Sequence, residues 1–122
     1  MKLTFVNLDT VPPTVLGSNS GASFWINFDP TREGAEAKIY GLNGGFFTTK
    51  PTVALWEDTR KPTQQRCADL IAQQGSETLP VAEGGRFCVR SAKGRVAMVA
   101  VGAYSRTREA YMGKVTVWPP TP

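Results

Sequence analysis

The chain has 122 residues, 41% hydrophobic and 20% charged, with a net charge of +4 and no histidine. That length suits one hydrophobic core rather than two, and a mean hydropathy of −0.22 excludes wholesale disorder. The lack of histidine removes Ser-His-Asp and Cys-His nucleophilic machinery, and two cysteines fall short of the four ligands of a structural zinc.

Residues 3–8 alternate weakly and predict a first strand, closed by Asp9-Thr10 and by Pro12-Pro13, which cannot donate to a ladder. After a loop over 17–21, residues 22–29 predict a strong strand. Phe24, Ile26 and Phe28 share one of its faces, and Trp25 stands among polar residues on the other. Residues 29–34 read as a turn, and 37–40 as a short strand or irregular edge ended by Gly41-Leu42-Asn43-Gly44-Gly45. Phe46-Phe47 and Val53-Ala54-Leu55-Trp56 bracket Thr48-Thr49-Lys50-Pro51, giving one bent strand or two, with the proline pointing to an edge.

Residues 61–75 predict a short helix, supplying a proline, Thr63 as N-cap, a stretch free of glycine and proline, and Gly75 as terminator. Cys67, Leu70 and Ile71 fall at i, i+3 and i+4, on one buried stripe. An extended segment over 76–81 leads to a hairpin over 84–101. Ser91 suits the first position of its type I turn, and Gly94 the left-handed one. The register then puts Phe87, Val89, Ala97, Val99 and Val101 on the core face, and Cys88, Arg90, Val96, Met98 and Ala100 on the other. A polar loop over 105–109 and a last strand over 114–118 complete the chain.

The fold class predicted is all-β: an antiparallel β-sandwich, or a partly open barrel, of about seven or eight short strands with one short helix. Residues 1–118 form a single β-sandwich domain, and 119–122 a Pro-rich tail resembling a stiff linker, so a fragment of a longer protein is expected. The helix, laid over the hairpin's second face, would bring Cys67 to Cys88. Two readings stay open there: a bridge, which implies an oxidising compartment, or two buried reduced thiols.

Chemistry is harder to find. The ten carboxylates are scattered, and a glycosidase needs two of them facing across a cleft, so a small carboxylate-dependent hydrolase ranks below a non-enzyme. No cofactor and no metal are expected. The net charge falls short of a nucleic-acid signature, and no apolar run approaches the roughly 20 residues of a membrane helix, so neither nucleic acid nor membrane insertion is expected. Trp25 and Tyr40 are the aromatic candidates for ligand binding, whereas Trp56 and Trp118 lie in apolar strand context and read as packing. Arg90 and Arg95, beside the hairpin turn, are candidates for anion recognition, set against a role as solvated edge charges.

The run Phe87-Cys88-Val89-Arg90-Ser91-Ala92-Lys93-Gly94-Arg95 resembles the "Phe-Cys-Val-Arg-Thr-x-x-Gly-Arg" hairpin of a β-rich, disulfide-containing extracellular domain of actinobacterial serine/threonine kinases and secreted proteins. Asn7-Leu8-Asp9, Ala22-Ser23-Phe24, Cys67 and Val115-Thr116-Val117-Trp118 match further, while the stretch 39–49 departs from the pattern and Ser91 replaces a threonine. The resemblance implies a Cys67–Cys88 disulfide, an extracellular or cell-surface location and a sensor or adhesion role, and it carries over no catalytic residue. The function expected is therefore a non-catalytic binding or sensor module for a cell-envelope carbohydrate, peptide or protein. The alternative is a structural spacer without a small-molecule site.

Overall fold

The computed structural model describes residues 1–29, 31, 36–47 and 52–119, with the side chains of Phe46 and Phe47 left aside. Its strands are β1 (Lys2–Leu3), β2 (Phe5–Asn7), β3 (Thr14–Leu16), β4 (Phe24–Asn27), β5 (Ala37–Asn43), β6 (Phe46–Phe47), β7 (Val53–Leu55), β8 (Thr78–Val81), β9 (Arg86–Arg90), β10 (Val96–Ser105) and β11 (Ala110–Val117). The helix α1 (Gln64–Gln74) lies between β7 and β8. One sheet runs β1-β11-β10-β9-β7, the other β3-β2-β4-β5-β6 with β8 also on β5, and the pairings are antiparallel. This is the expected β-sandwich with one short helix, in more and shorter strands than the sequence suggested. No helix among the described residues is long and apolar enough to cross a membrane.

The extra strands have local causes. Residues 3–8 do not make one strand: the chain leaves the first sheet after Leu3 and enters the second at Phe5. Leu3, Val6 and Leu8 all reach the core, so the inward positions are three and then two residues apart. That phase slip at Thr4 is the sheet crossing itself, and it produced the weak alternation. β3 is a three-residue edge strand between Pro13 and Gly17, too short to carry a period of its own.

β5 is neither an edge nor ended by Gly41. It runs seven residues between β4 on one side and β6 and β8 on the other. A Cβ at Gly41 would lie 1.9 Å from Thr52 Oγ1, so this glycine serves a close approach within the strand, not a turn. The alternatives for 46–56 resolve into two strands in different sheets, with β7 at an edge. Residues 48–51, part of the turn expected over 29–34, and residues 120–122 lie outside the described residues.

The hairpin forms in the expected register, with Val89 opposite Ala97 and Phe87 opposite Val99. Gly94 takes φ +84°, and its N–H donates to the Ser91 carbonyl at 2.9 Å. Phe87, Val89, Ala97, Val99 and Val101 enter the core between the sheets with Phe24, Ile26 and Ile39. The hairpin's other face meets α1, where Cys88, Val96 and Met98 pack with Ala54, Trp56, Cys67 and Ile71. The molecule thus has three layers: helix, first sheet, second sheet.

A candidate ligand groove between the helix and the strand before it

The sequence of α1 sets two adjacent stripes. The Thr63 hydroxyl accepts from Arg66 N–H at 3.2 Å, and Gly75 N–H donates to the Ile71 carbonyl at 2.9 Å, which fixes both ends. Cys67 and Ile71 turn onto the sheet and are buried. Cys67 is disulfide-bonded to Cys88, with 5.3 Å between their Cα atoms. The bridge left open in the sequence is therefore formed, and it pins the helix to β9. Arg66, Asp69, Leu70, Gln73 and Gln74, spaced i, i+3, i+4, i+7 and i+8, form the neighbouring stripe.

That second stripe is one wall of a groove of about 290 Å³, and Leu55, Trp56, Glu57, Asp58 and Arg60 form the other. The second wall is held by named bonds. Trp56 N–H donates to the Arg86 carbonyl at 2.8 Å, and the Arg86 guanidinium donates to the Asp58 carbonyl at 3.1 Å. Asp58 accepts from Arg60 Nε at 2.8 Å and from Arg60 backbone N–H at 2.8 Å. These hydrogen bonds, led by the one from the Arg60 side chain, hold the Asp58 carboxyl down at about 2, and the Arg60 guanidinium is correspondingly raised. Trp56 is 5% exposed, and its indole Nε1–H is buried without an acceptor. On the far side, Gln65 Nε2 donates to Asp69 Oδ1 at 2.8 Å, and the second Asp69 oxygen keeps its acceptor capacity.

Trp25 and Tyr40 come together on the outer face of the second sheet. Cross-strand register sets Phe5 opposite Trp25 and Trp25 opposite Tyr40. The rings stack at 5.2 Å and 5.3 Å with interplanar angles of 12° and 27°. Trp25 thus has a ring against each of its two faces. The ladder ties three strands together, and at Trp25 it turns ring edges rather than a flat platform outward.

Arg90 ends β9 and Arg95 lies in the hairpin turn just before β10, so both stand at one end of the first sheet, apart from the aromatic pair on the second. Both are half-buried. Arg95 N–H donates to Ser91 Oγ at 3.0 Å, Ser91 Oγ donates to Asp9 Oδ1 at 2.5 Å, and Arg95 Nε is buried without a partner. The four ligand-binding candidates therefore do not converge on one place. Among the described residues no group of three or more carboxylates and cysteines is arranged to hold a metal ion.

A second opening, of about 550 Å³, lies at one end of the sandwich against Phe28, Val81, Phe87 and Tyr111. There Phe28, Tyr104 and Tyr111 pack edge to face at 5.0 to 5.5 Å. Trp56 packs against the helix, as its apolar strand context predicts, and the sequence does not show the groove beside it because its two walls meet only in the fold. The polar row Arg66, Asp69, Gln73 and Gln74 flanking the buried stripe is visible in the sequence, but a solvated helix face presents the same pattern, and only the fold sets it against residues 55–60. The chain matches no protein-family model, no curated protein and no solved structure.

Proposed function

We propose that this chain is a non-catalytic binding module of the cell envelope and that its ligand sits in the groove between α1 and residues 55–60. The observation that carries this reading is the groove's construction. A disulfide fixes one wall, an Arg86 bond and an Asp58–Arg60 pair fix the other, and between them stand side chains with unspent hydrogen-bonding capacity. Rigid walls with a few convergent polar groups over an apolar floor are what a small-ligand site requires. The bridge supports an oxidising compartment, hence an extracellular or surface location, and the hairpin's resemblance to actinobacterial extracellular domains supports the same reading.

Asp58 does not suit the role of general acid, for a physical reason. A hydrolytic general acid needs a carboxyl raised toward neutrality, whereas the groove's Asp58 is held ionised down to about 2 by Arg60. The test is retention on isolated cell-wall material. Wild type is expected to be retained. Gln73→Trp, which fills the groove from its exposed rim, is expected to lose retention with an unchanged melting temperature. Trp25→Ala is expected to melt lower but to be retained while folded. No retention of wild type ends the binding reading and leaves a structural spacer.

A further inference from the structure

The donors and acceptors around the groove select one class of ligand. Its walls carry three carboxylates, Glu57, Asp58 and Asp69, against two guanidinium groups, Arg60 and Arg66, one negative charge in excess on a chain of net charge +4. Asp58 and Arg60 are spent on each other. What remains among the lining residues is acceptor capacity from Glu57 and the second oxygen of Asp69, donor capacity from Arg66, and amides of both kinds from Gln73 and Gln74.

An anionic ligand would meet the excess carboxylate, and an apolar one would displace water from exposed polar side chains without replacing its hydrogen bonds. A sugar hydroxyl does neither, since it donates to a carboxylate and accepts from a guanidinium or amide N–H at the same oxygen. The size agrees. About 290 Å³ is at the lower edge of small-molecule sites, which start near roughly 300 Å³, and so suits one ring rather than a polymer segment. Leu55, 40% exposed, and the half-buried Leu70 supply apolar surface for the C–H face of such a ring. Trp56 at 5% exposure offers little ring area, so recognition here is by hydrogen bonds rather than by stacking.

We propose that the groove binds one ring of a neutral saccharide, an inference that rests on the groove being the binding site. The test is a titration of the isotopically labelled protein, followed by amide and indole NMR shifts. The probes are a neutral hexose, an N-acetylated hexosamine, the phosphorylated and sulfated forms of the hexose, and a short cell-wall peptide. The neutral sugars are expected to move the signals of Trp56–Arg60 and of the Gln73 and Gln74 side-chain amides. Glu57→Gln and Asp69→Asn are each expected to weaken binding about tenfold, the loss of a hydrogen bond to a charged group, without moving the melting temperature. Tighter binding of the phosphorylated or sulfated sugar than of its neutral parent overturns the proposal. So do shifts at these residues from the peptide alone, although the groove then still stands as the binding site. No shift from any probe, with no retention on cell-wall material, overturns both.

Discussion

At Gly113 in β11 a Cβ would sit 2.2 Å from the Ala100 carbonyl oxygen and 2.6 Å from Leu3 Cδ1. The obstacle is the backbone of the neighbouring strand, which cannot rotate away, so the pairing of β10 with β11 requires glycine there. Gly41 differs, since its nearest obstacle is the Thr52 hydroxyl, which can turn. Gly113→Ala is therefore expected to cost about 3 kcal/mol and Gly41→Ala about 1 kcal/mol in denaturant unfolding, as overpacking does. Equal costs at the two sites would contradict this account. Asp58 gives a second test at this scale. Its carboxyl, held at about 2 against an ordinary 3.8, contributes stability above the ordinary value, and that contribution is lost as pH falls through about 2. In Arg60→Ala, which removes the side-chain hydrogen bonds and the charge but keeps the backbone N–H bond, the Asp58 carboxyl, followed by NMR titration, is expected to move part of the way back toward 3.8.

The helix is the element on which the groove depends, and its attachment is covalent. Closing the chain between Cys67 and Cys88, 21 positions apart, stabilises by about 3 kcal/mol in the chain-entropy picture. The double variant Cys67→Ala/Cys88→Ala is expected to melt roughly 10 °C lower, with amide exchange rising first in α1. An unchanged melt would mean that the apolar contacts of Cys67 and Ile71 hold the helix unaided. This element was legible in the sequence because Thr63, Gly75 and the 67/70/71 spacing are local signals. The hairpin was legible for the same reason: Ser91 and Gly94 fix its turn, and the turn fixes the register of five residue pairs. Residues 3–8 were not, since nothing local tells a weak alternation from a strand that changes sheets. Nor was Gly41, whose reason for being glycine is Thr52, eleven positions away. The groove lies between these cases, with one wall written in helical spacing and the other, Trp56 to Arg60, placed by Arg86 on the neighbouring strand β9, 28 positions from Asp58 in sequence.

For the whole molecule, the relation of charge to site matters most. The chain is basic, with a sequence pI near 9.3, yet the groove carries a net negative charge. Non-specific attachment to an anionic surface would use the lysines and arginines outside the groove and would weaken as salt is raised, since the screening length shortens to roughly 10 Å at 0.1 M. Binding of a neutral sugar ring would not, so affinity is expected to change less than about twofold between low and physiological salt. A steep loss with salt would assign retention to surface charge. The aromatic ladder of Phe5, Trp25 and Tyr40 contributes to the second sheet's cohesion, at a distance set by the first sheet from the helix and its groove.

Hydrogen exchange of the intact protein with and without cell-wall fragments tests most directly whether the helix and the strand end before it together form the binding site. Protection is expected to rise in residues 56–60 and 64–74, with the second sheet unchanged. Protection that appears instead around Trp25 and Tyr40, or at the Arg90–Arg95 turn, would contradict the account.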